Sequence, residues 1–125
     1  MMIKRITIIT GQISLTAILN DSYTAEKIYN ALPLEGKAII WGDEIYFDIL
    51  LKLEQEAYAR ADVEVGELAY WPAGSAFCIF FGPTPVSTGE KPRAYSPVNV
   101  FGKIEGDAAI LKKVSRGDTV KIIKQ

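Results

Sequence analysis

The chain has 125 residues, 14 of them basic and 15 acidic, with a formal charge of -1 and no histidine. That length accommodates one hydrophobic core, so 1–125 is expected to form a single domain, and the near-neutral balance disfavours nucleic acid or an anionic membrane as partner. Hydrophobic residues at 49% and charged residues at 23% exclude disordered and collagen-like classes, and the lack of histidine removes Ser-His-Asp and Cys-His catalysis and His-ligated zinc or iron.

The opening tract, Met1 to Thr10, carries Lys4 and Arg5 within its apolar run and no small-residue cleavage site, so it reads as a first strand, not a signal peptide. Ile13, Leu15, Ala17 and Leu19 alternate with their neighbours, which predicts a hairpin around Gly11-Gln12. Asn20-Asp21-Ser22 offers acceptors for the free N–H groups of a helix start. Ala25, Ile28, Tyr29 and Leu32 then predict a short amphipathic helix, ended by Pro33. Lys37 to Trp41 is expected to be a strand and Gly42-Asp43 a turn. The alternation of Ile45, Phe47, Ile49, Leu51 and Leu53 predicts a long second strand, with a helix over Leu50 to Ala61 as the alternative. Gln55 to Asp62 suits a helical turn or loop.

Val63, Val65, Leu68 and Tyr70 lead to a tight break at Trp71-Pro72-Ala73-Gly74-Ser75. The most apolar strand follows, Ala76 to Phe81, and it must be buried on both faces. Gly82 to Pro97, with four prolines, two glycines and two serines, predicts a long surface loop. Val98 to Ile104 is expected to be a strand, Asp107 the cap of a short helix through Val114, Arg116-Gly117-Asp118 a turn, and Thr119 to Lys124 the final strand. The fold class is therefore mainly β, with about eight strands and two or three short helices. Short strands with frequent Gly and Pro turns favour a closed barrel, since closure removes sheet edges. No apolar run approaches the roughly 18 residues of a membrane-spanning helix. Cys78, the one cysteine, lies in an apolar strand as a small buried hydrophobe and permits no internal disulfide, so the expected compartment is the cytoplasm.

Three groups could carry chemistry. Asp43, Glu44 and Tyr46 read as a solvated turn, with Glu44 paired on the surface; partly buried, the carboxyl would instead act as acid or base with the phenol as donor. No run of convergent oxygens suggests a metal, and no cofactor site is expected. Tyr70, Trp71, Phe77, Phe80, Phe81 and Tyr95, with Pro72 and Pro85, could line an apolar groove. Phe77 and Phe81 share parity with Ile79 while Cys78 and Phe80 face the other way, so most are expected to be core, with Trp71-Pro72 as the groove wall. The 82–97 segment brings Thr84, Lys91 and Arg93 towards the apolar strand, and its glycines match neither a P-loop nor a dinucleotide fingerprint. The candidate ligand-binding set is Glu44, Tyr46, Tyr70, Trp71, Pro72, Phe80, Thr84 and Arg93; no catalytic residue is assigned. Lys112-Lys113 and Arg116 suit the exposed end of the last helix.

Three tracts carry a resemblance: WGDEIYF at Trp41 to Phe47, GELAYWPAGSAFCIFFGPTP at Gly66 to Pro85, and SPVNVFGKIEG at Ser96 to Gly106. Together they resemble the small prokaryotic cyclophilin-like family, uncharacterised proteins with the barrel fold of peptidyl-prolyl isomerases. Val100 to Gly106 is similar to the VFGKV-x-EG tract of true cyclophilins, and Ser75 to Phe80 to their SQFFIT strand. The Phe-His-Arg tract of true cyclophilins is replaced by Trp41-Gly42-Asp43-Glu44, and their Gln-Gly-Gly-Asp tract and tryptophan-containing loop have no counterpart. The resemblance thus implies the fold, and a function of binding a small molecule or a proline-containing peptide segment at the groove. The alternatives are a divergent prolyl isomerase, with Arg93 replacing the missing arginine from another position, and a non-catalytic homo-oligomeric assembly module. A monomer or a homodimer is expected.

Overall fold

The computed structural model describes residues 3–125; Met1 and Met2, with which the opening tract begins, lie outside the described residues. Gly11, at φ 59°, supplies the left-handed residue that joins β1 (Arg5–Thr10) to β2 (Ile13–Leu19) as an antiparallel hairpin. Helix α1 (Tyr23–Ala31) starts where the Ser22 Oγ accepts the Ala25 N–H at 3.1 Å, and ends at the extended Leu32 before Pro33. β3 (Leu34–Lys37), β4 (Ile39–Ile40) and β5 (Glu44–Asp48) follow, then β6 (Arg60–Asp62), β7 (Glu67–Trp71), β8 (Ala76–Phe80) and β9 (Arg93–Glu105). A 3₁₀ helix (Ala108–Lys113), capped by Asp107 on the Ala109 N–H, leads into β10 (Thr119–Lys124). Among the described residues no helix is long and apolar enough to cross a membrane.

The strands form one antiparallel sheet in the order β3-β10-β1-β2-β9-β7-β8-β5-β4, with β6 paired to the first half of β9. This corrects the expected closed barrel of about eight strands: the described residues form ten strands, and hydrogen bonds do not close the sheet. Its two ends, β3 and β4, are separated in the chain by Ala38 alone, too short a link for two strands to turn and pair. The chain itself crosses the seam there, while the Ala38 N–H and C=O bond to Asp118 and Gly117 beside β10. β3 nevertheless packs on β5. Gly36 of β3 lies so near Phe47 of β5 that a Cβ would come within 2.5 Å of the ring.

Three further expectations change. The Lys37 to Trp41 strand is two strands, β3 beginning earlier at Leu34. β5 ends at Asp48, not at Leu53, and no helix replaces it: Leu50 is 98% exposed, while Ile49, Leu51 and Leu53 still point to the main core. The alternation is real, but side chains satisfy the backbone there. The Tyr70 hydroxyl donates to the Leu51 carbonyl and accepts from the Leu53 N–H, and Asn99 binds the Glu54 carbonyl and the Glu56 N–H. Lastly, Arg93 to Pro97 is not loop but the start of β9, a strand of 13 residues. Pro97 is tolerated because the β6–β9 register is irregular between Asp62↔Arg93 and Arg60↔Val98.

β8 is buried at every position, as its sequence requires. Phe77 and Ile79 join the main core with Ile6, Ile8, Phe47, Leu68 and Phe101, to which α1 adds Ile28 and the 3₁₀ helix Leu111. Ala76, Cys78 and Phe80 face outward into a second cluster with Val63, Ala69, Ala94, Val98 and Val100.

The close approach of Gly36 to Phe47 has a measurable consequence. Gly36→Ala is expected to lower stability by about 1–3 kcal/mol, because Phe47 is held by the core and has no room to yield. Urea unfolding checks this, and an unchanged midpoint would contradict it.

Candidate functional site

The outer cluster thins into a cavity of about 170 Å³ lined by Trp41, Glu44, Tyr46, Trp71, Ala94, Tyr95 and Val98. Glu44 and Tyr46 are two apart on β5 and share its outer face, opposite Phe80 and Cys78 of β8. Trp71 closes β7 beside them, and its indole N–H donates to the Ser96 Oγ at 2.6 Å, which ties the ring to β9. Trp41 stands on the β4–β5 turn and Tyr95 on β9.

The four rings form a chain. Trp41 meets Tyr95 at 6.1 Å between centroids and 72°, Tyr95 meets Trp71 at 6.1 Å and 81°, and Trp71 meets Tyr46 at 6.3 Å and 77°. Each contact is edge-to-face, so successive rings turn corners around the cavity and do not stack into a slab. Tyr95, the outermost, is 73% exposed.

The turn that carries Trp41 and Glu44 is fixed from behind. Gly42 is left-handed at φ 60°, and a Cβ there would meet Pro83, Thr84 and Pro85 at 3.0 Å or less. The Asp43 N–H donates to the Pro83 carbonyl and the Phe81 N–H to the Asp43 carbonyl, both at 2.9 Å. Buried Thr84 extends the brace, since its hydroxyl donates to the Arg93 carbonyl and its N–H to the Ser87 Oγ.

Glu44 corrects the expectation of a surface-paired carboxylate. It is 6% exposed, and none of the four ion pairs among the described residues involves it. Burial pushes its pKa up to about 7, partly offset by the nearby Cys78 thiol, whose own hydrogen bond goes to the Ala76 carbonyl at 3.9 Å. Burial and the neighbouring carboxylate drive the thiol well above its ordinary range, so Cys78 is inert as a nucleophile although a base lies within reach.

Of the residues singled out in the sequence, Glu44, Tyr46 and Trp71 therefore meet in one cavity. Tyr70 faces the opposite way, fully buried in the main core and bonded to the 51–53 backbone. Phe80 is fully buried in the outer cluster opposite Glu44, and Pro72 lies in the turn after Trp71, outside the lining. Thr84 acts from behind the wall. Arg93 is exposed, its Nε 3.8 Å from Asp62, and does not line the cavity. The site also contains residues outside the candidate set: Trp41, Tyr95, Ala94 and Val98. Trp41 was visible as one of only two tryptophans in the chain. Among the described residues no group of three or more His, Cys, Asp or Glu is placed to hold a metal ion.

A family model described as cyclophilin-like matches residues 4–123. The solution structure of the hypothetical protein AF2241 from Archaeoglobus fulgidus is similar with a TM-score of 0.81 and 35% identity, over 98% of this chain and 95% of that one. No curated protein matches.

The raised pKa of Glu44 sets a pH dependence. Unfolded, the group titrates near 4.5 and, folded, near 7, so between those values the unfolded chain binds fewer protons. The stability it contributes is complete below about pH 4.5 and is lost as the pH rises to about 7, up to about 3 kcal/mol in all. Urea unfolding of wild type and Glu44→Gln across that range is expected to show the difference between them growing by that amount in favour of Gln. A difference that does not vary with pH would contradict the assignment.

Proposed function

The chain belongs to the cyclophilin-like family, and from that membership and the geometry of the outer cavity we propose that it is a binding protein. Its ligand is a small molecule or a peptide segment that seats one compact group between the four rings. The observation that carries the reading is the arrangement of Trp41, Tyr46, Trp71 and Tyr95 around open space above a buried, unpaired carboxyl. Core packing accounts for neither the space nor the charge, whereas recognition uses both. The volume supports a compact group, since an apolar cavity of about 150 Å³ holds a benzene. Larger ligands would project past Tyr95.

Binding without catalysis is favoured over prolyl isomerisation. An isomerase needs an oriented donor at the twisting amide, and Arg93, the one guanidinium proposed for that part, is directed to Asp62 outside the cavity. The lone, buried thiol fits the reducing cytoplasm that we propose as the compartment.

Both tryptophans of the chain line the cavity, so intrinsic fluorescence and the two indole N–H resonances report occupancy directly. A fragment mixture and an Ala-Pro-Phe peptide, added separately, are expected to shift the indole signals and the amides of 44–46 and 94–98 while the cis/trans exchange of the peptide stays at its uncatalysed tens to hundreds of seconds. Faster exchange would transfer the reading to isomerase. No shift with any fragment or peptide would overturn it.

A further inference from the structure

We infer that the group received by this cavity is an organic cation, a quaternary or substituted ammonium caged by Trp41, Tyr46, Trp71 and Tyr95 above the Glu44 carboxyl. The inference rests on the reading of the cavity as a binding site and names its ligand class.

Three observations converge on a cation. Four aromatic rings border one volume, the π-faces of such rings carry negative potential, and ammonium groups with apolar substituents are bound among them. The sole carboxyl in the lining is buried and lacks a cationic partner among the described residues. Three cations of the β6–β9 region pair with other carboxylates: Arg60 with Glu67, Lys91 with Glu64 and Arg93 with Asp62. A buried carboxylate without a counter-charge is costly, and a cationic guest would supply the one that the chain withholds.

The lining argues equally against other guests. A carboxylate or phosphate would meet ring faces and a like charge. A neutral apolar group, a proline ring included, would fit the space and leave the carboxyl uncompensated.

The charged state of Glu44 then governs affinity. The titratable groups around it are the Tyr46 and Tyr95 phenols in the lining and the Cys78 thiol below, with Asp43 next to it on the turn and the Arg93–Asp62 pair at the β6–β9 rim. The Glu44 pKa is brought near neutrality, so cation affinity should rise with pH through about 7 as the carboxyl ionises.

Tryptophan fluorescence titrations with tetramethylammonium, with choline, and with the neutral isostere of choline in which tert-butyl replaces trimethylammonium test this. The expected result is binding of choline at least about tenfold tighter than its isostere near pH 8, with the advantage shrinking at acid pH and becoming smaller and independent of pH in Glu44→Gln. Tyr95→Ala removes an exposed ring at little cost to the fold, and should weaken both cations by about tenfold. Equal binding of choline and its isostere would overturn the cation inference and leave the binding reading intact, as would response to neutral fragments alone. Silence of the tryptophans to every probe, charged or neutral, would overturn both.

Discussion

A strand that is apolar on both faces has to be covered twice, and at β8 that requirement generates the whole outer layer. The inner face is covered by the main core, where Phe77 stacks on Phe47 at 5.2 Å and meets Phe101 edge-on. Ala76, Cys78 and Phe80 on the other face would be left in water by a single-layered barrel, and each large side chain so exposed forfeits about 1.5–3 kcal/mol. The chain covers them by extending β9 back from Val98 to Arg93, beyond its ladder with β7, and laying β6 along the extension. Val63, Ala94 and Val98 are the residues that this flap sets down. Small residues at 69, 76 and 94 let it sit close.

The flap is held lightly. Its ion pairs, Arg60–Glu67, Lys91–Glu64 and Arg93–Asp62, are exposed on at least one side and worth at most about 1 kcal/mol each. The Thr84 hydroxyl on the Arg93 carbonyl and the Trp71 indole on Ser96 are the directional ties. The cover runs out above Glu44. There the fold keeps a carboxyl in a place that desolvates it, where an apolar residue would have completed the outer cluster at less cost. Local instability of that kind at a cavity wall is what a recognition site requires and a packing site does not.

Local rules made much of this architecture legible. The Ser22 and Asp107 caps, the Gly11 hairpin and the parity of 77–81 follow from propensity and period alone, and the parity already demanded two cores. What failed was non-local. Composition marked 82–97 as loop because proline lacks a donor, but β6 supplies a partner whose irregular register leaves room for Pro97. The alternation through Leu53 gives the side-chain direction but not a strand, because Tyr70 and Asn99, distant in sequence, occupy the backbone groups that a neighbouring strand would have used. Glu44 followed the same logic. Beside Gly42-Asp43 it reads as solvated, and only the register with Phe80 and the return of 81–85 across the turn bury it.

The split between scaffold and site runs along the same line. The ladders that any barrel of this kind needs are regular, and the likeness to AF2241 extends over nearly the whole chain. The cavity, by contrast, draws its rings from places where regularity stops: Trp41 on a left-handed turn, Trp71 at a strand end before a tight break, Tyr95 in the irregular half of β9. Side chains at such points are not fixed by the pleat, so they can change without disturbing the barrel. The Trp41-Gly42-Asp43-Glu44 tract illustrates this: its two ends, Trp41 and Glu44, line the cavity, while the turn between them is held from behind by 83–85. The chemistry open to the cavity follows from that one carboxyl and the rings around it.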